Sequence, residues 1–221
     1  NNPAMARIPD IELLKKAQLK TDIEKVEVNA EKKTVFLRET GMRLDVGAVA
    51  KGFATEIVAT ELEELGYTSF VISGGGNIKI VGQPQDGVRS KWGIGIQDPD
   101  GNALIPDSET IDVVYVNDTS VVSSGDYQRY YVVNGKRIHH LIDPKTLMPA
   151  DYYRAVTVMT TDSGFADFLS TTVFLLPYEK SRALVESLED VDALWILPDG
   201  TILTTENMKK SLKNLGGAIS K

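Results

Sequence analysis

Tyr130-Tyr131-Val132-Val133-Asn134-Gly135-Lys136-Arg137-Ile138-His139-His140-Leu141-Ile142-Asp143-Pro144 is the stretch on which the reading of this chain turns. Asn-Gly between two runs of β-branched and aromatic residues is a strong hairpin signal, because a two-residue type I′ turn needs positive φ at both central positions. The spacing predicts a hairpin of residues 130–133 with residues 136–142, and therefore antiparallel pairing. Its return strand carries His139 and His140, the only two histidines in 221 residues. Histidine is the side chain whose ordinary pKa lies closest to neutrality, so the chain's natural proton-transfer groups fall together at one strand end.

Downstream, residues 155–159 read as a strand. Asp162 or Ser163 can cap a helix running to about residue 176, where Pro177 stops it. A further helix over about 178–189 and a hairpin through Pro198-Asp199-Gly200 follow. Upstream, strands are expected at 92–96, 111–116 and 120–123. Residues 70–72 and 78–81 read as two strands joined by a tight bend at Ser73-Gly74-Gly75-Gly76-Asn77. Helical spacing of Ile57, Val58, Leu62 and Leu65 predicts a helix over 52–65, with Gly66 as its left-handed stop. A helix near 10–20 and short strands at 25–29 and 34–38 open the chain. No repeat, low-complexity run or Pro/Gly-rich linker divides it, so the fold class expected is α+β. It is read as one domain over 1–221, with a mostly antiparallel sheet and packed helices.

A chain that is 42% hydrophobic and 25% charged is neither disordered nor membrane-spanning in composition. Net charge −7 and the lack of a dense Lys/Arg run argue against a nucleic-acid surface. An acidic protein that takes an anionic ligand needs a local device, such as a bound cation or a helix N-terminus. The absence of cysteine removes thiolate nucleophiles, disulfides and Cys-type zinc sites. Asn1-Asn2-Pro3-Ala4-Met5 has no leader character, so any export signal is expected to have been removed or never to have existed.

Asp167 and Thr171 are spaced i and i+4, so on a helix they offer a carboxylate and a hydroxyl on one face. These are hard oxygen ligands that suit Mg²⁺, although the same spacing is common on solvated helix faces. Leu44-Asp45-Val46-Gly47-Ala48-Val49-Ala50-Lys51-Gly52 leads into the helix at 52–65, whose N-terminus with Lys51 can attract an anion. Equally, Gly47 is a turn residue and Asp45 a cap. It is not a Walker loop, because the GxxxxGK[ST] spacing is absent. Gly75, Gly76 and Asn77 can bring backbone amides to a ligand or simply turn the chain. Ser123-Ser124-Gly125-Asp126-Tyr127 mixes hydroxyls with a turn, and Arg129 can clamp a phosphate or a carboxylate. His140 is a candidate general base or a hydrogen-bonding residue of the sheet.

The order of these motifs closely resembles the ApbE family of flavin transferases, formerly known as thiamine-biosynthesis lipoproteins. The motifs are Leu44–Gly52, Gly75-Gly76-Asn77, Ser124-Gly125-Asp126-Tyr127-Gln128-Arg129, His140-Leu141-Ile142-Asp143-Pro144 and Ala166-Asp167-Phe168-Leu169-Ser170-Thr171. The resemblance covers the chain from about residue 10 onward. It implies an FAD:protein FMN transferase, which splits FAD, releases AMP and links FMN by a phosphoester to Thr or Ser of a target protein. An FAD pyrophosphatase and a non-catalytic flavin-binding module are the alternatives. The resemblance implies that Asp167, Thr171 and the Ala48 carbonyl hold Mg²⁺, and that His140 deprotonates the acceptor hydroxyl. Asp45, Lys51, Gly75, Gly76, Asn77, Ser124, Gly125 and Asp126 are implied to line the FAD cleft.

Partners implied by the resemblance are FAD and flavin-acceptor redox proteins such as subunits of sodium-pumping NADH:quinone oxidoreductase, with no nucleic acid. Members are usually exported, on the outer side of the cytoplasmic membrane or in the periplasm, and held by a lipid anchor that is expected to be absent from these residues. Three departures stand out. Members usually carry roughly a hundred more residues before the Asp45 motif than the 44 present here. Gln128 stands where Glu is common, and Leu147 replaces a usual Gly in the turn after Asp143-Pro144.

Overall fold

Two glycine-bearing turns each fix an antiparallel strand pair, one in the central sheet and one in a separate two-stranded sheet. Asn134 and Gly135 both have positive φ, +51° and +76°, and join β8 (Tyr130–Val133) to β9 (Lys136–His139) in antiparallel register. Gly75 and Gly76 likewise sit at +61° and +92°, and Gly74 N–H donates to the Asn77 carbonyl at 2.7 Å, so β3 (Phe70–Ser73) turns directly into β4 (Asn77–Val81). Both turns are as the sequence predicts. The return strand is shorter than expected: it ends at His139, and His140 begins the following loop.

This computed structural model describes residues 6–101 and 109–221. The leader reading of residues 1–5 lies outside the described residues. In chain order the remaining elements are α1 (Ile11–Gln18), β1 (Val26–Asn29), β2 (Thr34–Leu37), α2 (Ala50–Glu64), β5 (Trp92–Gln97), β6 (Thr110–Val116) and β7 (Ser120–Gly125). Then come β10 (Ile142–Asp143), β11 (Met148–Pro149), β12 (Ala155–Thr160), α3 (Ser163–Phe174), α4 (Tyr178–Glu186), β13 (Asp192–Ile196), β14 (Ile202–Thr204), α5 (Glu206–Ser211) and α6 (Lys213–Gly216). The central sheet has six strands in the order β14-β13-β12-β7-β4-β3, every neighbour antiparallel. The architecture is α+β.

Period-2 alternation sorts the sheet into two cores. Val156, Val158, Ala193 and Trp195 face α3 and α4, where they meet Leu169, Val173, Phe174 and Val185. Ala155, Leu194 and Ile196 face the other way, onto the β5–β6 hairpin, Met208 of α5 and Leu212 at the junction of the last two helices. Those two helices have no counterpart among the elements expected from the sequence. The ends of α2 and α3 follow their local chemistry. Gly66 at φ +91° closes α2 with a Schellman motif, in which Gly66 and Tyr67 N–H donate to Glu63 and Leu62 carbonyls. Asp162 caps α3 by accepting from Phe165 N–H. The α1 helix and the β1–β2 hairpin contain no buried residue, and Ile11, Leu13, Val28 and Phe36 are exposed there.

Candidate active site

The α2 and α3 helices meet at Gly52 and cap each other. Gly52 N–H donates to Asp167 Oδ2 at 2.8 Å, while Ser163 N–H at the start of α3 donates to Glu56 Oε2 of α2 at 2.6 Å. Glu56 is held in turn by Lys79, whose Nζ lies 2.8 Å from Glu56 Oε1 and donates also to the Thr161 carbonyl. The approach leaves no room at Gly52. A Cβ there would lie 2.1 Å from the Ser163 carbonyl oxygen and 2.6 Å from Asp167 Cβ.

This contact leaves the Ala48 carbonyl open on the same cleft as Asp167. In a regular helix Gly52 N–H would bond the Ala48 carbonyl; here it turns to Asp167, and the Ala48 carbonyl receives no backbone N–H among the described residues. Asp167 is 4% exposed, with Oδ2 on Gly52 and no donor on Oδ1 among the described residues. Asp167 lines the open cleft, so Oδ1 is a hard oxygen accessible to a cation there. Thr171 adds a third oxygen. Its neighbour Thr172 bonds back to the Phe168 carbonyl, whereas the Thr171 hydroxyl makes no hydrogen bond among the described residues. No cluster of three or more His, Cys, Asp or Glu side chains occurs among the described residues. One carboxylate, one hydroxyl and one carbonyl form a set that fits Mg²⁺, which keeps waters and phosphate oxygens in the rest of its shell.

These three residues line a cleft of about 490 Å³ together with Asp45, Lys51, Ser124, Gly125, Arg129 and His140. The N-terminus of α2 faces it with no side-chain cap and no acidic residue in the first turn, so its positive end is available to an anion. Asp45 accepts from Gly47 N–H at 2.7 Å and shapes the turn before α2, and Lys51 reaches the Gly75 carbonyl at 3.2 Å. Ser124 Oγ lies 2.8 Å from Ser170 Oγ, which donates to the Asp167 carbonyl.

His140 stands on the cleft wall with its ring open to solvent. Partial desolvation by the wall holds its pKa below the ordinary imidazole value, against the pull of a hydrogen bond with the Arg129 backbone. The charges of Arg129, His139 and Lys51 lower it further. A neutral imidazole at neutral pH is what a general base requires. His139, by contrast, is buried and faces away into the core.

The expected residues therefore divide. His140, Ala48, Asp167, Thr171, Asp45, Lys51, Ser124 and Gly125 come together on one cleft, while Gly75, Gly76, Asn77 and Asp126 do not line it. Asn77 is fully buried and accepts from the Ser163 hydroxyl, pinning the start of α3 to β4. Asp126 is held between Arg137, at 2.8 Å, and Arg154, at 2.9 Å. Both side chains have partners within the protein. Sequence reading missed the role of Gly52, whose signal was a glycine inside a helix, where it costs stability unless something lies close against it.

The sequence profile of the ApbE family matches residues 1–195. A protein of Treponema pallidum named FAD:protein FMN transferase is 39% identical over 206 residues, covering 88% of this chain and 56% of its own length. One of Klebsiella pneumoniae with the same name is 36% identical over 173 residues, covering 77% of this chain and 50% of its own. The chain thus spans about half the length of the curated relatives it matches. Among solved structures, the ApbE protein of Thermotoga maritima superimposes with a TM-score of 0.82 at 30% identity, covering 96% of this chain and 66% of that one. The Pseudomonas stutzeri flavinyl transferase ApbE gives a TM-score of 0.75 at 26% identity, covering 96% and 63%.

Proposed function

The chain belongs to the ApbE family, and on that premise we propose that it is a Mg²⁺-dependent FAD:protein FMN transferase, cleaving FAD to AMP and joining FMN by a phosphoester to a Thr or Ser of an acceptor protein. The single observation that carries this reading is the pair of open oxygens beside the α2–α3 contact, Asp167 Oδ1 and the Ala48 carbonyl, on the same cleft as a neutral His140. Asp167, Thr171 and the Ala48 carbonyl would hold the cation. When bound, it supplies charge neutralisation on the pyrophosphate.

The chain's own groups divide the remaining work. The uncapped N-terminus of α2 and the charges of Lys51 and Arg129 attract the pyrophosphate in a protein that is acidic overall. His140 takes the proton of the acceptor hydroxyl as its oxygen attacks phosphorus, and the P–O bond to AMP breaks. The depressed basicity of His140 keeps it unprotonated and ready at neutral pH. The relatives' names support a protein acceptor, and we place flavin-acceptor redox proteins in that role. By the same family reasoning the protein works on the outer side of the cytoplasmic membrane. No helix among the described residues is long and apolar enough to cross a membrane.

The test is incubation with FAD and Mg²⁺, with and without a flavin-acceptor domain, following AMP, free FMN and protein-bound flavin together. AMP matched by bound flavin is the expected result. AMP matched by free FMN even with acceptor present would replace the transferase with a pyrophosphatase, and FAD binding without AMP would reduce the chain to a flavin-binding module.

A further inference from the structure

We propose that His139 is a positioning residue for His140: its imidazole clamps the 140–150 loop and ties it to α3, so that the base and the helix bearing Asp167 and Thr171 are held as one unit. This rests on the reading of His140 as the base.

The clamp is a closed set of contacts. The Leu141 N–H donates to His139 Nδ1 at 3.2 Å, and His139 Nε2 lies 2.9 Å from the Ala150 carbonyl oxygen. A carbonyl only accepts, so Nε2 carries the proton; Nδ1 receives one, so it is bare. The ring is therefore in its neutral Nε2–H form with both nitrogens committed, and its burial, at 6% exposure, opposes protonation. The Ala150 N–H then donates to the Leu141 carbonyl at 3.0 Å, so the two ends of the loop are bound to each other as well as to the ring. His140 sits between His139 and Leu141, the two residues this arrangement holds.

The same ring reaches α3. It meets Phe174 edge to face, with centroids 5.8 Å apart and planes at 88°. Asp167, Thr171 and Phe174 occupy positions i, i+4 and i+7 of α3, one stripe of the helix. The upper part of the stripe faces the cleft and the lower part supports His139, so displacement of this ring would shift the base relative to the two oxygen ligands. The nearest charges acting on His139 are Asp126 and Arg137, whose influences oppose each other.

Imidazole ¹⁵N NMR of the full chain tests this without substrate, alongside His139→Phe and His139→Gln. Phenylalanine keeps the ring volume and the Phe174 contact but removes both hydrogen bonds; glutamine restores the donor to Ala150. In the unaltered chain, His139 should show the neutral Nε2–H tautomer at neutral pH, and His140 should titrate below the ordinary value. In His139→Phe the His140 pKa should rise toward the ordinary value as the ring leaves the cleft wall that partly desolvates it, and Leu141 N–H exchange should accelerate at least tenfold. His139→Gln should fall between the two. If His139→Phe does not fold, the glutamine variant alone carries the comparison. A His140 titration unchanged in the folded variants, or a His139 protonated on Nδ1 in the unaltered chain, would overturn the proposal. Absence of FAD cleavage by the unaltered chain would count against the transferase reading while leaving this comparison intact. Where cleavage is measured, His139→Phe should lower kcat at least tenfold with KM for FAD unchanged, and a fall confined to KM would also overturn it.

Discussion

Gly52→Ala is the most informative single substitution, because one methyl group tests the contact on which the site depends. The new Cβ would stand 2.1 Å from the Ser163 carbonyl oxygen, 2.6 Å from Asp167 Cβ and 2.8 Å from Asn77 Nδ2, all in buried surroundings. Restoring ordinary contact requires the helices to part by roughly 1 Å. Overpacking of this kind costs about 1–3 kcal/mol. Loss of the Gly52 N–H bond to the charged Asp167 adds about 1.5–3 kcal/mol. Alanine recovers about 1 kcal/mol of helix propensity. The net expectation is a loss of about 3 kcal/mol, which for a chain of this size lowers Tm by roughly 6–12 °C. Calorimetry of the two proteins reads this directly, with Ala54→Gly at an exposed α2 position as the reference for propensity alone. An unchanged or raised Tm would refute the reasoning, since Gly52 would then be an ordinary helical position with nothing against it.

Three further outcomes follow from the same structure. Leu147 occupies the left-handed region at φ +60°, so Leu147→Gly should be more stable than Leu147→Ala by about 1 kcal/mol in urea unfolding, with the reverse order excluding backbone strain there. Asp126→Ala leaves Arg137 without its carboxylate, while Arg154 keeps its pair with Asp100, and should cost about 2 kcal/mol with FAD affinity unchanged; weakened FAD binding without destabilisation would return Asp126 to the ligand cleft. Burial holds both histidines below the ordinary value of 6.5 in the folded state, so the unfolded chain binds the extra protons. Their contribution to stability is present above that value and is lost as pH falls through the depressed folded pKa values. A Tm that stayed flat from about pH 7 to pH 5 would contradict this, and His139→Phe should reduce the slope.

The parts of the fold set by local chemistry were legible in the sequence. Asn134-Gly135 and the glycines after Ser73 specify their own φ values, and Asp162, Gly66 and Pro177 mark helix ends by hydrogen-bonding and steric rules that need no tertiary context. What the sequence hid depends on partners far along the chain. Asp126 sits in a motif beside Ser124 and Gly125, yet its carboxylate is taken by Arg137 and Arg154 across two different strand connections. Asn77 follows the ligand-like glycines but is buried against Ser163, 86 residues away. The apolar residues of α1 and the β1–β2 hairpin recur at regular spacing, but Ile11, Leu13 and Phe36 are exposed, since periodicity reports a face and not what covers it.

The site itself was only half legible. The i, i+4 spacing of Asp167 and Thr171 is visible in the sequence but common on helix faces, whereas the contact that leaves the Ala48 carbonyl open, Gly52 N–H on Asp167, joins residues 115 apart. The two adjacent histidines looked like one feature and take opposite places. His140 enters the cleft while His139 turns inward, because the strand ends between them.

The most direct test of the central claim is metal binding, measured as free Mn²⁺ by electron paramagnetic resonance, with FAD present, for the unaltered chain and Asp167→Asn. Asparagine can still accept from Gly52 N–H, so the α2–α3 contact survives while the charge is removed. The expected result is Mn²⁺ binding that Mg²⁺ competes away, weakened at least about tenfold in Asp167→Asn, or roughly 1.4 kcal/mol. Equal Mn²⁺ affinity in the two proteins would contradict the account and remove Asp167 from the cation site.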